Sequence, residues 1–490
     1  MSILKKTYRI LSLTTAALLL LVLSACNMVT GEDDMEQLEP VANYINLTLY
    51  VSSGETSNVT RAPIGGEDGD AREAGFNREN TVSGVTVILY KGTGLDDASA
   101  KVDFVRYFTV TEEGRDPQGT TYNYEAATTF RSEARYTTGD QKLAKDELDF
   151  TATYHVLLVA NQDVSSDCAK GTFISTVRDK VITNVYSNAT PTTPWTAQQF
   201  VMTSERDATI DFKTMAPVQK TSGESGLVYR VLQPLLIERM SARIDYCTKG
   251  GTYNSTLGGY EYSVGSTGDK FVVTSVTPFN MNPGSQYLFK RVQNAWPATT
   301  TTYLGDETTT NYVVEPSTSS KDNSIQYNFL NPIADVNTAF AANTTTAYTQ
   351  VMANEYVQQY ARFTDANGYN NVIIAYPKEN TLMPSSKLKM YATGIAFEGN
   401  YYIGGTGTPE KRVYYHFLRH QGESATGSYQ AKQWTDISGN EVSSASVPMN
   451  YGIVRNNIYR VDISGISNEG LDIHIKVKKW DLFTHEVIYM

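Results

Sequence analysis

The sequence predicts a mainly β protein built as two β-sandwich domains with a few short helices. Three observations lead there. Short runs of β-branched and aromatic residues recur along the chain, separated by Gly, Asn and Pro, which argues for a sandwich and against alternating strand–helix units. The 33 tyrosines, among abundant Thr and Ser, suit a pleated, half-buried surface. At 490 residues the chain is too long for one hydrophobic core, so two domains are the natural division.

The hydrophobic fraction of 41% and charged fraction of 19% are those of a globular chain. The net charge of −11, with only 41 basic residues, gives no electrostatic footprint for nucleic acid and reads as solubility.

Residues 1–26 read as a targeting segment. Lys5, Lys6 and Arg9 form a basic start, and residues 16–23 an apolar heart too short to span a membrane. Leu23, Ser24, Ala25 and Cys26 follow, small residues leading to a cysteine at the cut position. This tetrapeptide resembles the bacterial lipoprotein box, in which the cysteine is acylated and becomes the new N-terminus. Asn27, in place of Asp, argues under the same resemblance for the outer membrane. Glu32, Asp33, Asp34, Glu36 and Glu39 then form an acidic, solvated tether.

The stretch 44–62 organises the rest. Ile45, Leu47, Leu49 and Val51 occupy every second position, with Asn46, Thr48 and Tyr50 between them, which predicts a strand with one buried face. A polar loop, 52–60, leads from it to Arg61 and Ala62. Residues 85–90 and 154–161 predict strong strands, the second apolar enough to be central and covered on both faces. Phe173, Val177, Val181 and Ile182 stand near helical spacing, predicting a short helix within 168–186. Further strands are expected at 209–212 and 227–231.

A domain boundary is expected near Gly226, giving domains 62–226 and 227–490, after a signal segment 1–26 and a propeptide 27–61. In the second domain, strands are expected at 271–276, 312–315, 372–376, 387–397, 412–418, 459–463 and 471–477, and a helical stretch at 339–363. Cys168 and Cys247 are either a disulfide permitted by export or two buried thiols, and the sequence does not choose.

The chemistry expected of an enzyme is missing. There is no nucleophile elbow, P-loop or dinucleotide-binding glycine motif. His416 and His420 are four apart, but on a strand that spacing covers about 13 Å, too far to share a metal. Asp365, Asn367 and Gly368 read as a plain turn. No catalytic residue, metal or cofactor is expected.

The chain resembles the fimbrillins, subunits of the type V pili of the Bacteroidia. The resemblance spans nearly its whole length. It is carried by the lipoprotein box, the 44–62 stretch, residues 158–161, 201–204 and 238–244, residues 376–381 and 418–420, the run 451–461 (Tyr-Gly-Ile-Val-Arg-Asn-Asn-Ile-Tyr-Arg-Val), and residues 477–480. It implies transthyretin-like sandwiches and a lipid-anchored precursor, held at the outer membrane through Cys26. It also implies a cut by an Arg-specific maturation protease between Arg61 and Ala62, then strand exchange with other copies of the chain to form an adhesive fimbrial stalk outside the cell.

Accessory pilus subunits and host proteins or glycans are the further partners it implies. A tip adhesin or anchor of the same pilus is the alternative role. A surface glycan-binding lipoprotein, with tyrosines near Trp195 and Trp434 as stacking platforms, is the alternative class. At the other end, Leu471, Ile473, Ile475 and Val477 alternate cleanly but precede Trp480, a bulky anchor suited to the subunit's own sandwich. The terminal segment 481–490 is therefore the expected donor, with Trp480 as its pivot and Leu482, Val487, Ile488 and Met490 as its apolar residues. Arg72 and Arg78 are the fallback sites for the cut.

Overall fold

The computed structural model describes residues 42–51, 72–74, 77–112, 135–187, 199–293, 301–304, 312–318, 321, 362–364, 370–382, 391–418, 451–466 and 471–481, leaving aside 95, 184, 221–222 and 258. The fold is mainly β, as expected.

The first sheet has eleven strands. Its main order is Val102–Thr109, Gly84–Tyr90, Thr153–Ala160, Met202–Ser204, Gly226–Arg239, Ala42–Val51, Arg135–Thr137, Thr111–Glu112. The two ends of this order are consecutive in the chain, so the sheet folds back on itself. Val85, Val87, Leu89, Phe104, Phe108, Val156, Leu158, Val231 and Leu235 fill the space it encloses.

The strands Gly84–Tyr90 and Thr153–Ala160 are almost wholly apolar because both their faces are covered. Val87 and Leu158 point into that core, while Ile88, Tyr90, Leu157 and Val159 join a second cluster with Ile174, Val177, Leu288 and Phe289. The helix expected within 168–186 is confined to Ile174–Arg178. Beyond Asp179 the chain extends, and Val181–Ile182 pairs with Gln286–Tyr287. Ile174 and Val177 are buried, whereas Phe173 and Val181 are 46% and 44% exposed, so the helical spacing covers only one turn of real apolar contact.

Two further sheets form a sandwich. One has the order Arg72–Ala74, Leu471–Asp481, Asn457–Ile466, Arg243–Cys247, Asn370–Ala375, Arg362–Thr364. The other runs Thr252–Asn254, Gly259–Val264, Asp269–Phe279, Gly394–Tyr402, Glu410–Phe417. Ile244, Tyr246, Val461 and Ile463 of the first pack on Phe271, Val273, Ile395 and Phe397 of the second. Tyr246 meets Phe397 edge-on at 5.6 Å and shares a 2.6 Å hydroxyl contact with Tyr262.

The strand Gly226–Arg239 starts where the domain boundary was expected, yet it pairs with Met202–Ser204 and Ala42–Val51. Its Val231, Leu235 and Ile237 lie in the first core. The chain passes to the second sheet between Arg239 and Arg243. The glycines near 226 precede a strand of the same sheet; the change of sheet follows where the apolar alternation ends.

The junction between the two halves is charged and buried. Arg243, wholly buried, pairs with Glu79 at 3.1 Å and with Asp245 at 2.9 Å, and Arg460 reaches Asp245 at 2.8 Å. Tyr376 donates its hydroxyl to Glu79. Arg239 donates to the Glu79 carbonyl at 2.9 Å, to Asn456 Oδ1 at 3.0 Å and to Asn80 Oδ1. Deeper in the second half, Arg455 grips Glu379 through two bonds of 2.7 and 2.8 Å and donates to the carbonyls of Leu288 and Tyr287. Charges removed from water this completely are tolerated only when each is paired and hydrogen-bonded.

Candidate functional site: the N-terminal strand and its groove

Ala42–Val51 lies inside the first sheet. It runs parallel to Gly226–Arg239 on one side and antiparallel to Arg135–Thr137 and Gln141–Lys142 on the other. Ile45, Leu47 and Leu49 are fully buried in the first core, as the alternation predicts. Val51 closes the strand opposite Ile237. The register shifts between Leu47 and Leu49, where Val231 and Leu235 stand opposite them. The longer strand carries extra residues there, Pro234 among them, and proline has no N–H to give a ladder.

Side chains complete the seating. Thr138 takes a hydrogen bond from the Leu47 N–H at 3.0 Å through its hydroxyl and returns its own N–H to the Leu47 carbonyl at 3.1 Å. Asn46 donates to Asp140 at 2.9 Å and accepts from the Thr137 hydroxyl at 2.8 Å. Tyr44, 3% exposed, packs against Gly226 and donates to Glu224 at 3.3 Å. Lys220 lies 4.2 Å from its ring centroid. Lys142 bonds Glu224, which holds that carboxyl below, and the Lys142 ammonium above, their ordinary values.

The strand Arg72–Ala74 is tied to the other half. Arg72–Ala74 pairs in parallel with the end of Leu471–Asp481, with Arg72 opposite Lys479, Glu73 opposite Trp480 and Ala74 opposite Asp481. The helical turn Asn77–Asn80 follows at once and supplies Glu79 and Asn80 to the buried junction. Arg72 and Arg78 therefore stand in regular elements, a strand and a helical turn. Leu471–Asp481 pairs along Asn457–Ile466 in its own sheet, so Trp480 and Asp481 belong to the subunit's own second half.

Cys26, Arg61, Ala62, Leu482, Val487, Ile488 and Met490 lie outside the described residues, as do Trp195, Trp434, His420, Asp365 and Asn367. So does the expected helical stretch 339–363, apart from its end, where Phe363 sits in the strand Arg362–Thr364. His416 is buried on the strand Glu410–Phe417. Cys168 and Cys247 are buried free thiols. Among the described residues, no group of His, Cys, Asp and Glu is arranged to hold a metal ion.

The ionic junction was not recognised as such from sequence. Its signal was present: Arg243 and Asp245 alternate with Ile244 and Tyr246, and Glu238 and Arg239 follow the apolar run 234–237. Period-two polarity reads as a solvated face, and only packing shows that both faces are covered.

No family model and no curated sequence matches the chain. Similar solved structures include a putative cell adhesion protein from Parabacteroides distasonis ATCC 8503, 14% identical over 90% of this chain and 100% of that one, with a TM-score of 0.40. The tip fimbrial protein Mfa3 from Porphyromonas gingivalis, with C-terminal truncation, is 10% identical over 90% and 100%, with a TM-score of 0.37. A fimbrilin (fimA) from Porphyromonas gingivalis W83 is 12% identical over 90% and 99%, with a TM-score of 0.36. These neighbours are fimbrial and cell-adhesion proteins of Bacteroidia. The functional assignment rests on the residues of this chain.

Proposed function

We propose that this chain is the precursor of a polymerising fimbrial subunit. It is acylated at Cys26 and carried to the outer membrane. An Arg-specific protease cuts between Arg61 and Ala62, and the segment before the cut, with Ala42–Val51, leaves. The groove it vacates takes the C-terminal tail of another copy, residues 482–490, with Trp480 and Asp481 as the fixed base of that tail. Accessory pilus subunits and host ligands complete the list of partners, and domains 62–226 and 227–490 remain the proposed division.

One observation carries this reading: a buried internal strand that belongs to the segment before the proposed cut. A fold-completing strand normally stays with its domain. Here Ile45, Leu47 and Leu49 fill the core of a sheet whose other strands begin after residue 61. Their burial is a gross gain on the order of 5–9 kcal/mol. Removing them leaves Gly226–Arg239 with unpaired backbone groups along a wet apolar floor, which a strand from a second copy satisfies. The tail is suited to leave its own domain because the strand before it is already anchored on both edges near Trp480. The placement of Arg72 and Arg78 in a strand and a helical turn favours Arg61 over both, since proteases enter loops.

The test uses three forms of the full chain: wild type, Arg61→Ala and a form lacking residues 482–490. Wild type yields a mature N-terminus at Ala62 and heat-resistant ladders on denaturing gels. Arg61→Ala stays uncut and monomeric. The tail deletion is cut and folded yet forms no ladder. A mature N-terminus elsewhere refutes the site, and polymer from the tail deletion refutes the donor.

A further inference from the structure

Lys321, Glu315 and Asn380 meet in the interior of the second half of the chain. Glu315 follows the strand Tyr312–Val314, and two backbone hydrogen bonds bring Lys321 back to it. The Thr318 N–H donates to the Glu315 carbonyl at 3.0 Å, and the Lys321 N–H to the Thr318 carbonyl at 3.2 Å. Lys321 thereby sets its ammonium on the Glu315 carboxylate. Asn380 comes from farther along the chain, fixed by paired backbone bonds of 3.0 and 2.8 Å with Ile453. All three residues are buried, Lys321 and Asn380 with no exposed surface. Val314 and Val454, next in the chain to Glu315 and Ile453, belong to one apolar cluster.

The lysine faces an electrophile as well as a counter-charge. Its Nζ lies 2.6 Å from Asn380 Oδ1. With a carbonyl bond of about 1.2 Å, Nζ is within about 3.8 Å of the amide carbon Cγ. Reacting atoms held in place at about 3–3.5 Å are poised for attack. The amide is gripped at its other end, where Nδ2 donates to the Tyr391 carbonyl at 2.7 Å, to Thr393 Oγ1 at 2.9 Å and to the Asn280 carbonyl at 3.3 Å. Those three acceptors keep the oxygen turned toward the lysine. The Ser317 N–H holds the Glu315 carboxylate at 2.7 Å, and Lys321 also donates to the Thr381 carbonyl at 2.9 Å. Burial pulls the Lys321 ammonium below its ordinary value, against the opposing pull of Glu315. A desolvated lysine beside a carboxylate that can take its proton becomes a nucleophile.

We propose that Lys321 and Asn380 are joined by an intramolecular amide bond that the folded chain makes itself, with Glu315 as the proton carrier. Glu315 takes a proton from the ammonium and frees the Nζ lone pair. Nζ attacks Cγ, so the Nζ–Cγ bond forms and the Cγ–Nδ2 bond breaks. Of the three protons on the ammonium, one stays on the new amide. The other two pass through Glu315 to Nδ2, which departs as ammonium and leaves Glu315 ionised. No oxidant, reductant or co-reactant enters. The bond ties residues 59 positions apart, and it restricts the unfolded chain as a disulfide does while resisting reductant. It stands apart from the strand-exchange reading, since none of its three residues lies in the N-terminal strand or the C-terminal tail.

The test is mass analysis of tryptic peptides from the denatured wild-type full chain. Cutting after Lys321 is expected to fail, and a branched peptide should join residues 292–362 to 379–387. Its mass should be less than that of the two parts together by one ammonia, and fragmentation should place the link between Lys321 and Asn380. Glu315→Gln keeps the shape of the side chain but cannot carry the proton, and is expected to form the bond at least about a hundredfold more slowly. Separate wild-type peptides at full mass, with cutting after Lys321, would overturn the proposal and leave a buried ion pair. Because that measurement is made on the wild-type chain, it decides even if the variant does not fold. A branched peptide that forms as fast in Glu315→Gln as in wild type overturns Glu315 as the proton carrier.

Discussion

Gly226 and Tyr44 meet where only a glycine fits: a Cβ on Gly226 would overlap the Tyr44 ring and press on the carbonyl of Ala42. The closeness lets the N-terminal strand lie parallel against the start of Gly226–Arg239 with Tyr44 almost wholly buried. Gly226→Ala is expected to weaken the seating of the strand by about 1–3 kcal/mol. Limited proteolysis of the uncut chain should remove residues 42–51 faster, with the rest of the first sheet intact. Unchanged proteolysis would show that the ring moves aside without cost.

Leu47 tests the same strand from the core side. Its side chain is fully buried among first-core residues. Leu47→Ala should cost the precursor about 2–5 kcal/mol in urea unfolding. The cut chain starting at Ala62 no longer contains residue 47, so after cleavage the variant and wild type should unfold identically. A difference that persists after cleavage and removal of the segment means the strand has stayed in place.

Glu379 and Arg455 form a bidentate pair with both side chains at 0% exposure. Glu379→Ala strands a guanidinium in the interior and should destabilise by about 3–5 kcal/mol. The double variant Glu379→Leu with Arg455→Met should recover most of that loss, because an apolar pair of similar volume avoids desolvating charge. Equal destabilisation in the single and double variants would assign the energy to packing and not to the orphaned charge.

Burial pushes the Cys168 thiol up to about 11. Burial, with the hydrogen bond to Asp103, likewise pushes the Tyr154 phenol up to about 12. Both groups hold their protons more tightly folded than unfolded. Their contribution is complete below the unfolded values, about 8.5 for cysteine and about 10 for tyrosine, and is lost as pH rises through the folded ones. The melting temperature should therefore fall from about pH 9 upward, and Cys168→Ala should flatten the first part of that decline. In the Cys26→Ala chain, a thiol reagent at pH 8 should find Cys168 and Cys247 only after unfolding. Rapid native modification of Cys168 would contradict its burial.

The alternation of Ile45, Leu47 and Leu49 was enough to place a half-buried strand before Arg61, and the unbroken apolar run of 154–161 was enough to place a central one. Each is a local signal that burial on one face or two imposes directly on composition. The short helix was overextended because Val181 and Ile182 keep the helical spacing by coincidence while pairing as a strand. The strand that starts at the expected boundary, Gly226–Arg239, pairs within the first sheet, because turn residues mark a break in a strand and not which sheet the next strand joins.

What the sequence by itself determined is the buried face of the N-terminal strand and the central place of residues 154–160, because burial on one face or two acts directly on local composition. What only the tertiary structure decided is pairing. That Ala42–Val51 lies parallel to Gly226–Arg239, and that Glu79 meets Arg243, depends on partners far away in the chain. Period-two patterning specifies which face is buried but not against what, so these partners are settled only when the competing ways of covering apolar faces and pairing buried charges are compared in three dimensions.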